Sequence, residues 1–144
     1  MDLINRIIHA ITQVHPLHPM LVHFPIALTG AALFFILLAL WKYKEFFEQA
    51  AFANIALATV STLAAGATGL YDNQVNYVGE APNAGLKITL AIVLFLVTST
   101  TAITRWKKPD LIKKSKGLYV AAYFVSFGLA LVLAFLGGVI LYGF

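Results

Sequence analysis

The stretch "HPLHPMLVHFPIALTGAALFFILLAL", residues 15–40, decides the fold. It begins with three of the chain's four histidines and three of its five prolines, and then carries no charge until Lys42. An uncharged apolar run of about 18 residues or more is long enough to cross the hydrocarbon core of a bilayer. Within Met20–Leu40 only His23 can titrate. Three further runs, Ala50–Tyr71, Ile88–Thr104 and Leu118–Phe144, carry no charge at all. The chain has 144 residues, of which 60% are hydrophobic, with only ten basic and six acidic side chains. That balance is too apolar for a soluble domain of this size. The sequence therefore predicts an all-α fold: an integral membrane four-helix bundle, with spans near 20–40, 50–71, 85–104 and 118–142. Residues 18–144 form one membrane domain, and residues 1–17 precede it as an interfacial amphipathic segment.

That segment places Leu3, Ile4, Ile7, Ile8, Ile11 and Val14 at helical spacing on one face, with Asp2, Arg6, His9 and Gln13 mostly elsewhere. It is too short to span and reads as a helix lying along the membrane surface. Its charges and its lack of a continuous apolar core argue against a cleavable signal peptide. Pro16 and Pro19 turn the chain into the membrane, where a proline in the first helical turn costs little. Pro25 lies deeper. It has no N–H to give the carbonyl of Leu21, so a kink is expected there, facing protein rather than lipid.

Basic residues are distributed unevenly. Lys42 and Lys44 follow the first span, and Arg105, Lys107, Lys108, Lys113, Lys114 and Lys116 follow the third. The opposite side has only Arg6 and Lys87. The positive-inside rule puts the eight in the cytoplasm, and with them outside go both termini, the four histidines and the Asp72–Glu80 loop. The cluster reads as a topology signal beside anionic headgroups, not as a nucleic-acid surface. Trp41, Tyr43 and Trp106 mark the inner interface, and Tyr71, Tyr77 and Tyr142 the outer one. The "LYDNQVNYVGEAPNAGLK" connection, residues 70–87, reads as a turn-rich loop, with Asp72-Asn73, Gly79 and Pro82-Asn83 as turn signals. Small residues recur at Ala58, Thr62, Ala65 and Gly69 with Gly66 beside them, and at Gly128, Gly137 and Gly138. Such stripes allow close helix packing, within the bundle or against another subunit.

The histidines admit three chemistries. One is an axial ligand to a tetrapyrrole, haem iron or pigment magnesium. The second is a simple metal site of His15, His18 and His23, completed by Asp72 or Glu80. The third is structural, with His18 capping a helix and His23 hydrogen-bonded in the bundle. On a regular helix five residues turn through about 140° and rise about 7.5 Å, so His18 and His23 cannot clamp one iron from opposite sides. A bis-histidine haem then needs His9, His15 or a partner chain, whereas five-coordinate iron or a pigment magnesium needs a single ligand.

The motif "HPMLVHFPIAL", residues 18–28, with "ATGLYD", residues 67–72, resembles the bacterial membrane family catalogued as domain of unknown function 2231. The resemblance runs from about His18 to the end as four helices, and places the chain in a bacterial inner membrane. It implies cofactor-related roles for His18, His23, Gly69 and Asp72, and, since some members occur beside Rieske iron–sulfur modules, electron transfer on the outer face. Many members have a histidine near the start of the third helix; here "NAGLKITL", residues 83–90, has Lys87, which can pair with Asp72 or Glu80.

Catalysis by the chain itself is not expected. There is no cysteine nucleophile, no pair of intramembrane carboxylates and no phosphate-binding glycine loop. A transporter would show intramembrane charges, broken helices or repeats, and only Pro25 breaks a span. Two expectations remain. The first is a small subunit of an electron-transfer or photosynthetic-type complex, holding a b-type haem or another tetrapyrrole through His18 and His23, with Asp72 orienting a ligand. The second is a cofactor-free accessory subunit that docks on a larger membrane complex. Either has the bilayer and other membrane subunits as partners, the first also an outer-side redox protein, and neither binds nucleic acid.

Overall fold

The computed structural model describes residues 2–9, 17–41 and 44–142. Among the described residues seven helices follow one another: α1 (Leu3–His9), α2 (Leu17–Leu21), α3 (His23–Trp41), α4 (Lys44–Asn76), α5 (Ala84–Lys107), α6 (Leu111–Lys114) and α7 (Lys116–Tyr142). Among the described residues there is no strand. Four stretches are long and apolar enough to cross a membrane: Leu17–Trp41, Glu45–Asn76, Ala84–Lys107 and Lys116–Val139. The chain is thus an all-helical membrane bundle. α3 packs on α4, α4 on α5, α5 on α7 and α7 back on α3, closing an up-and-down ring.

One spacing builds this ring. The buried residues of α3 are Pro25, Thr29, Ala32, Ile36 and Ala39. On α4 they are Glu48, Ala51, Ile55, Ala58, Thr62 and Ala65, on α5 Leu94, Thr98 and Thr101, and on α7 Tyr119, Tyr123, Ser126 and Ala130. Steps of three and four alternate on every helix, which keeps one narrow seam turned inward. Small side chains dominate that seam and let the backbones approach. Gly30 shows how close: a Cβ there would stand 3.0 Å from the Phe127 ring on α7. The opposite faces expose Phe34, Val60, Leu63, Ile92, Leu96, Phe124 and Phe135, as lipid contact requires.

Buried serine and threonine hydroxyls of the seam are satisfied within their own helices. Thr29 donates to the Pro25 carbonyl (2.6 Å), Thr62 to Ala58 (2.7 Å), Thr98 to Leu94 (3.0 Å) and Ser126 to Ala122 (2.8 Å). Among the described residues no buried side-chain nitrogen or oxygen lacks a partner. Where water is absent, this back-bonding makes hydroxyls tolerable in a packed seam.

The stripe Ala58–Thr62–Ala65–Gly69 belongs to this interior. Gly66, Gly128 and Gly137 do not, since a Cβ at any of them would meet nothing within 4 Å. The break expected from Pro25 is also present: α2 ends at Leu21, Val22 forms a turn, and α3 starts at His23. Pro25 then sits in the first turn of α3, where a missing N–H is harmless.

α4 departs from the expected loop pattern. Its 33 residues make it about 50 Å long, against a hydrocarbon core of about 30 Å. Asp72 and Asn73, expected in a loop, instead form its last turns. Side chains hold that end. The Asn76 amide donates to Asp72 Oδ1, and Asn73 Oδ1 accepts the N–H of Ala81 at 3.1 Å. The Asn73 carbonyl accepts from Gly79, whose φ of +83° explains the glycine. Asn83, also left-handed, then opens α5. Of the surface segment, the described part is α1, whose Leu3, Ile4, Ile7 and Ile8 are exposed. Trp41 and Trp106 are exposed at one end of the bundle and Tyr71 at the other, while Tyr43 and the Tyr142 side chain lie outside the described residues.

Candidate functional site

At one end of the bundle α2 packs on α4, and an imidazole ties the two together. His18 Nδ1 lies 3.0 Å from the Ala65 carbonyl oxygen, and the Thr68 hydroxyl is 3.5 Å from the same nitrogen. A carbonyl can only accept, so Nδ1 carries the proton, and in the neutral ring Nε2 keeps its lone pair. Gly69 makes this seat. A Cβ at that position would stand 2.7 Å from Cε1, 3.1 Å from Nδ1 and 3.2 Å from Nε2 of His18. No side chain larger than hydrogen leaves the ring where it is. Nε2 makes no hydrogen bond among the described residues and, since no buried polar atom there is unpartnered, it reaches the surface of the bundle.

His23 adopts the same posture in another place. Its Nδ1 lies 2.6 Å from the Pro19 carbonyl, one turn earlier, so its proton also sits on Nδ1 and Nε2 is the free nitrogen. The ring is exposed and does not share the Gly69 seat. Asp72 lies one turn beyond Gly69 on α4. It does not bond the His18 ring: its Oδ1 accepts from Asn76, and Ala65 orients the imidazole. Lys87 is a half-buried neighbour, near enough for its charge to act on both His18 and Asp72. It makes no ion pair within 4 Å with Asp72 or Glu80, and Asp72 Oδ1 accepts from Asn76. Among the described residues no three His, Asp or Glu side chains gather as a metal site, and His15 lies outside those residues. Of the expected constellation, His18 and Gly69 touch, Asp72 and Lys87 stand near, and His23 stands apart.

The family described as "predicted membrane protein", domain of unknown function 2231, matches residues 14–144, nearly the whole chain. The protein belongs to that family. Among curated proteins and solved structures, no match to it was found. In this domain-2231 protein the two ends of the "HPMLVHFP" motif do separate jobs, one histidine docking on α4 and the other bonded within its own turn.

A second polar cluster, at the opposite end of this domain-2231 chain, was not foreseen from the sequence. Arg105 Nε donates to Glu48 Oε1 at 2.6 Å and Nη2 to Oε2 at 2.7 Å. Tyr119 donates to Glu48 Oε1 at 2.9 Å. Its one proton is thereby used, so Tyr123 is the donor across the 2.8 Å contact between the two hydroxyls. The Arg105 guanidinium also lies over Phe52, 5.0 Å from the ring centre. Tyr119 and Tyr123 are buried, and the Glu48 and Arg105 side chains are 8% and 14% exposed. The sequence reading placed Arg105 in a loop; it is in fact in the last turns of α5, where its charge is cancelled. The missed signal was register. Glu48 continues the spacing of Ala51, Ile55 and Ala58, so the chain aims a carboxylate into its own core.

Proposed function

We propose that this protein is a small membrane subunit of an electron-transfer or photosynthetic-type complex, binding a b-type haem or a related tetrapyrrole through its outer-side histidines. The observation that supports this reading is the shared posture of His18 and His23: each gives Nδ1–H to a backbone carbonyl and leaves Nε2 free. Histidines that ligate metals are commonly oriented this way, which fixes the tautomer and raises the basicity of the ligating nitrogen. The donor set fits the group. When bound, a tetrapyrrole would supply one-electron transfer or light absorption. The chain's own residues set the imidazoles, with Ala65 and Pro19 holding the protons and Gly69 admitting the His18 ring. A second protein ligand, where the metal takes one, would be His9, His15 or a residue of another chain, because no histidine follows residue 23.

The test is a pair of conservative variants. In His18→Asn and His23→Asn the amide N–H stands where Nδ1–H stood, and no nitrogen replaces Nε2. Loss of the visible absorption band from at least one variant, with insertion intact, is the expected result. A full band in both removes these histidines as ligands.

The seat on Gly69 favours a second reading, a cofactor-free accessory subunit in which His18 is a packing key. There, His18→Asn leaves every spectrum unchanged and the protein still co-purifies with its larger complex. In either role the chain holds rather than transforms, and it lies in a bacterial inner membrane with both termini outside. The basic residues support that orientation: Arg105 is neutralised by Glu48, but the others on its side still outnumber Arg6 and Lys87. The chain has no cysteine, so Asn76→Cys introduces one reporter at an exposed position of α4. A membrane-impermeant maleimide should label it in intact cells; protection until lysis reverses the orientation.

A further inference from the structure

From the last residue of α5 to the first of α7 the chain carries Lys107, Lys108, Lys113, Lys114 and Lys116, against a single acid, Asp110. The lysines are exposed, and among the described residues none lies within 4 Å of a carboxylate. Their neighbour Arg105 is different, being turned inward and spent on Glu48. The Asp110 carbonyl accepts the N–H groups of Lys113 and Lys114 at 3.0 and 3.1 Å. An open cleft here is lined by Lys107, Lys108, Pro109, Asp110 and Lys114. Apolar side chains flank the basic corner, Trp106 on α5 and Leu118 on α7, 74% and 79% exposed. Both belong to helices long and apolar enough to cross a membrane, and Trp106 directly precedes Lys107 of the cleft lining.

A ligand that satisfies this corner has an anionic head for the lysines and apolar chains for the helix faces below. We infer that the cleft holds one anionic phospholipid by its phosphate, as a defined site and not only through the diffuse attraction of a basic loop. Lys107, Lys108 and Lys114 contact the phosphate, and Trp106 and Leu118 flank the start of the acyl chains. A polynucleotide fits less well, because it offers no apolar chain to the exposed Trp106 and Leu118.

Charge-matched variants separate a site from a field. Lys108→Gln/Lys114→Gln removes two lysines that line the cleft, and Lys113→Gln/Lys116→Gln removes two that do not. The full-length protein is delipidated in mild detergent, titrated with phosphatidylglycerol or phosphatidylcholine, and read by native mass spectrometry. One phosphatidylglycerol should be retained in preference to phosphatidylcholine, and the cleft pair should weaken its retention by about thirtyfold, from the attraction of each lysine to an anionic surface. The other pair should weaken it by less than about threefold, because screening blunts charges beyond the contact. Equal losses from both pairs, or equal retention of phosphatidylcholine, would overturn the site. So would displacement of the lipid by excess inorganic phosphate, which would make it a free-anion site, or tighter binding of a single-stranded oligonucleotide than of phosphatidylglycerol.

Discussion

Arg105→Ala should destabilise the bundle by about 3–5 kcal/mol, the cost of leaving a buried carboxylate without its partner. Glu48 receives both guanidinium hydrogen bonds and the Tyr119 hydroxyl, so three helices lose their common point at once. The pair itself is worth far less than this figure, because desolvating two charges offsets most of their attraction. A cycle makes that distinction measurable. Glu48→Met/Arg105→Met, which removes both charges and keeps volume, should be more stable than Arg105→Ala, and close to the parent protein. Unfolding in detergent with increasing denaturant reads these variants and the two single methionine changes. A double variant that loses as much as Glu48→Met and Arg105→Met lose when added together would mean that the two act separately, and that the cluster is not one device.

Gly69→Ala should change sign with its background. In the parent protein the new methyl would lie 2.7 Å from His18 Cε1, so the ring must leave the Ala65 carbonyl. Losing that seat costs about 1–3 kcal/mol. In a His18→Ala background the obstruction is gone, and alanine should instead stabilise α4 by up to about 1 kcal/mol through its helix propensity. Any absorption band that depends on His18 should be lost in Gly69→Ala as well. A cost that is the same in both backgrounds would show that Gly69 is needed by something other than the imidazole.

The bundle was legible because four charge-free runs leave a chain of this length little else to form. Its boundaries were less so, for a physical reason. Hydropathy marks where a helix meets lipid, whereas α4 continues through Asp72, Asn73 and Asn76 because side chains satisfy its end. The His18–Gly69 contact joins residues about fifty positions apart, which no helical spacing can reveal. The family motif paired them before the geometry did. Residue types alone left His18 and His23 equivalent, and only the fold separates a ring seated on α4 from one exposed above Pro19. Counting Arg105 among the basic residues beyond the third span leaves open which face of its helix it occupies, and the Glu48 carboxylate that receives it shows only in the register of α4.

We propose that the free Nε2 atoms of His18 and His23 hold a tetrapyrrole. Purification in mild detergent with native partners, followed by an oxidised-minus-reduced absorption spectrum, tests it most directly. A reducible Soret and α band that co-purifies with this chain, and is lost in His18→Asn or His23→Asn, is the predicted result. A flat spectrum, with no pigment or metal by elemental analysis, would contradict it and leave His18 as the pin that fastens α2 to α4.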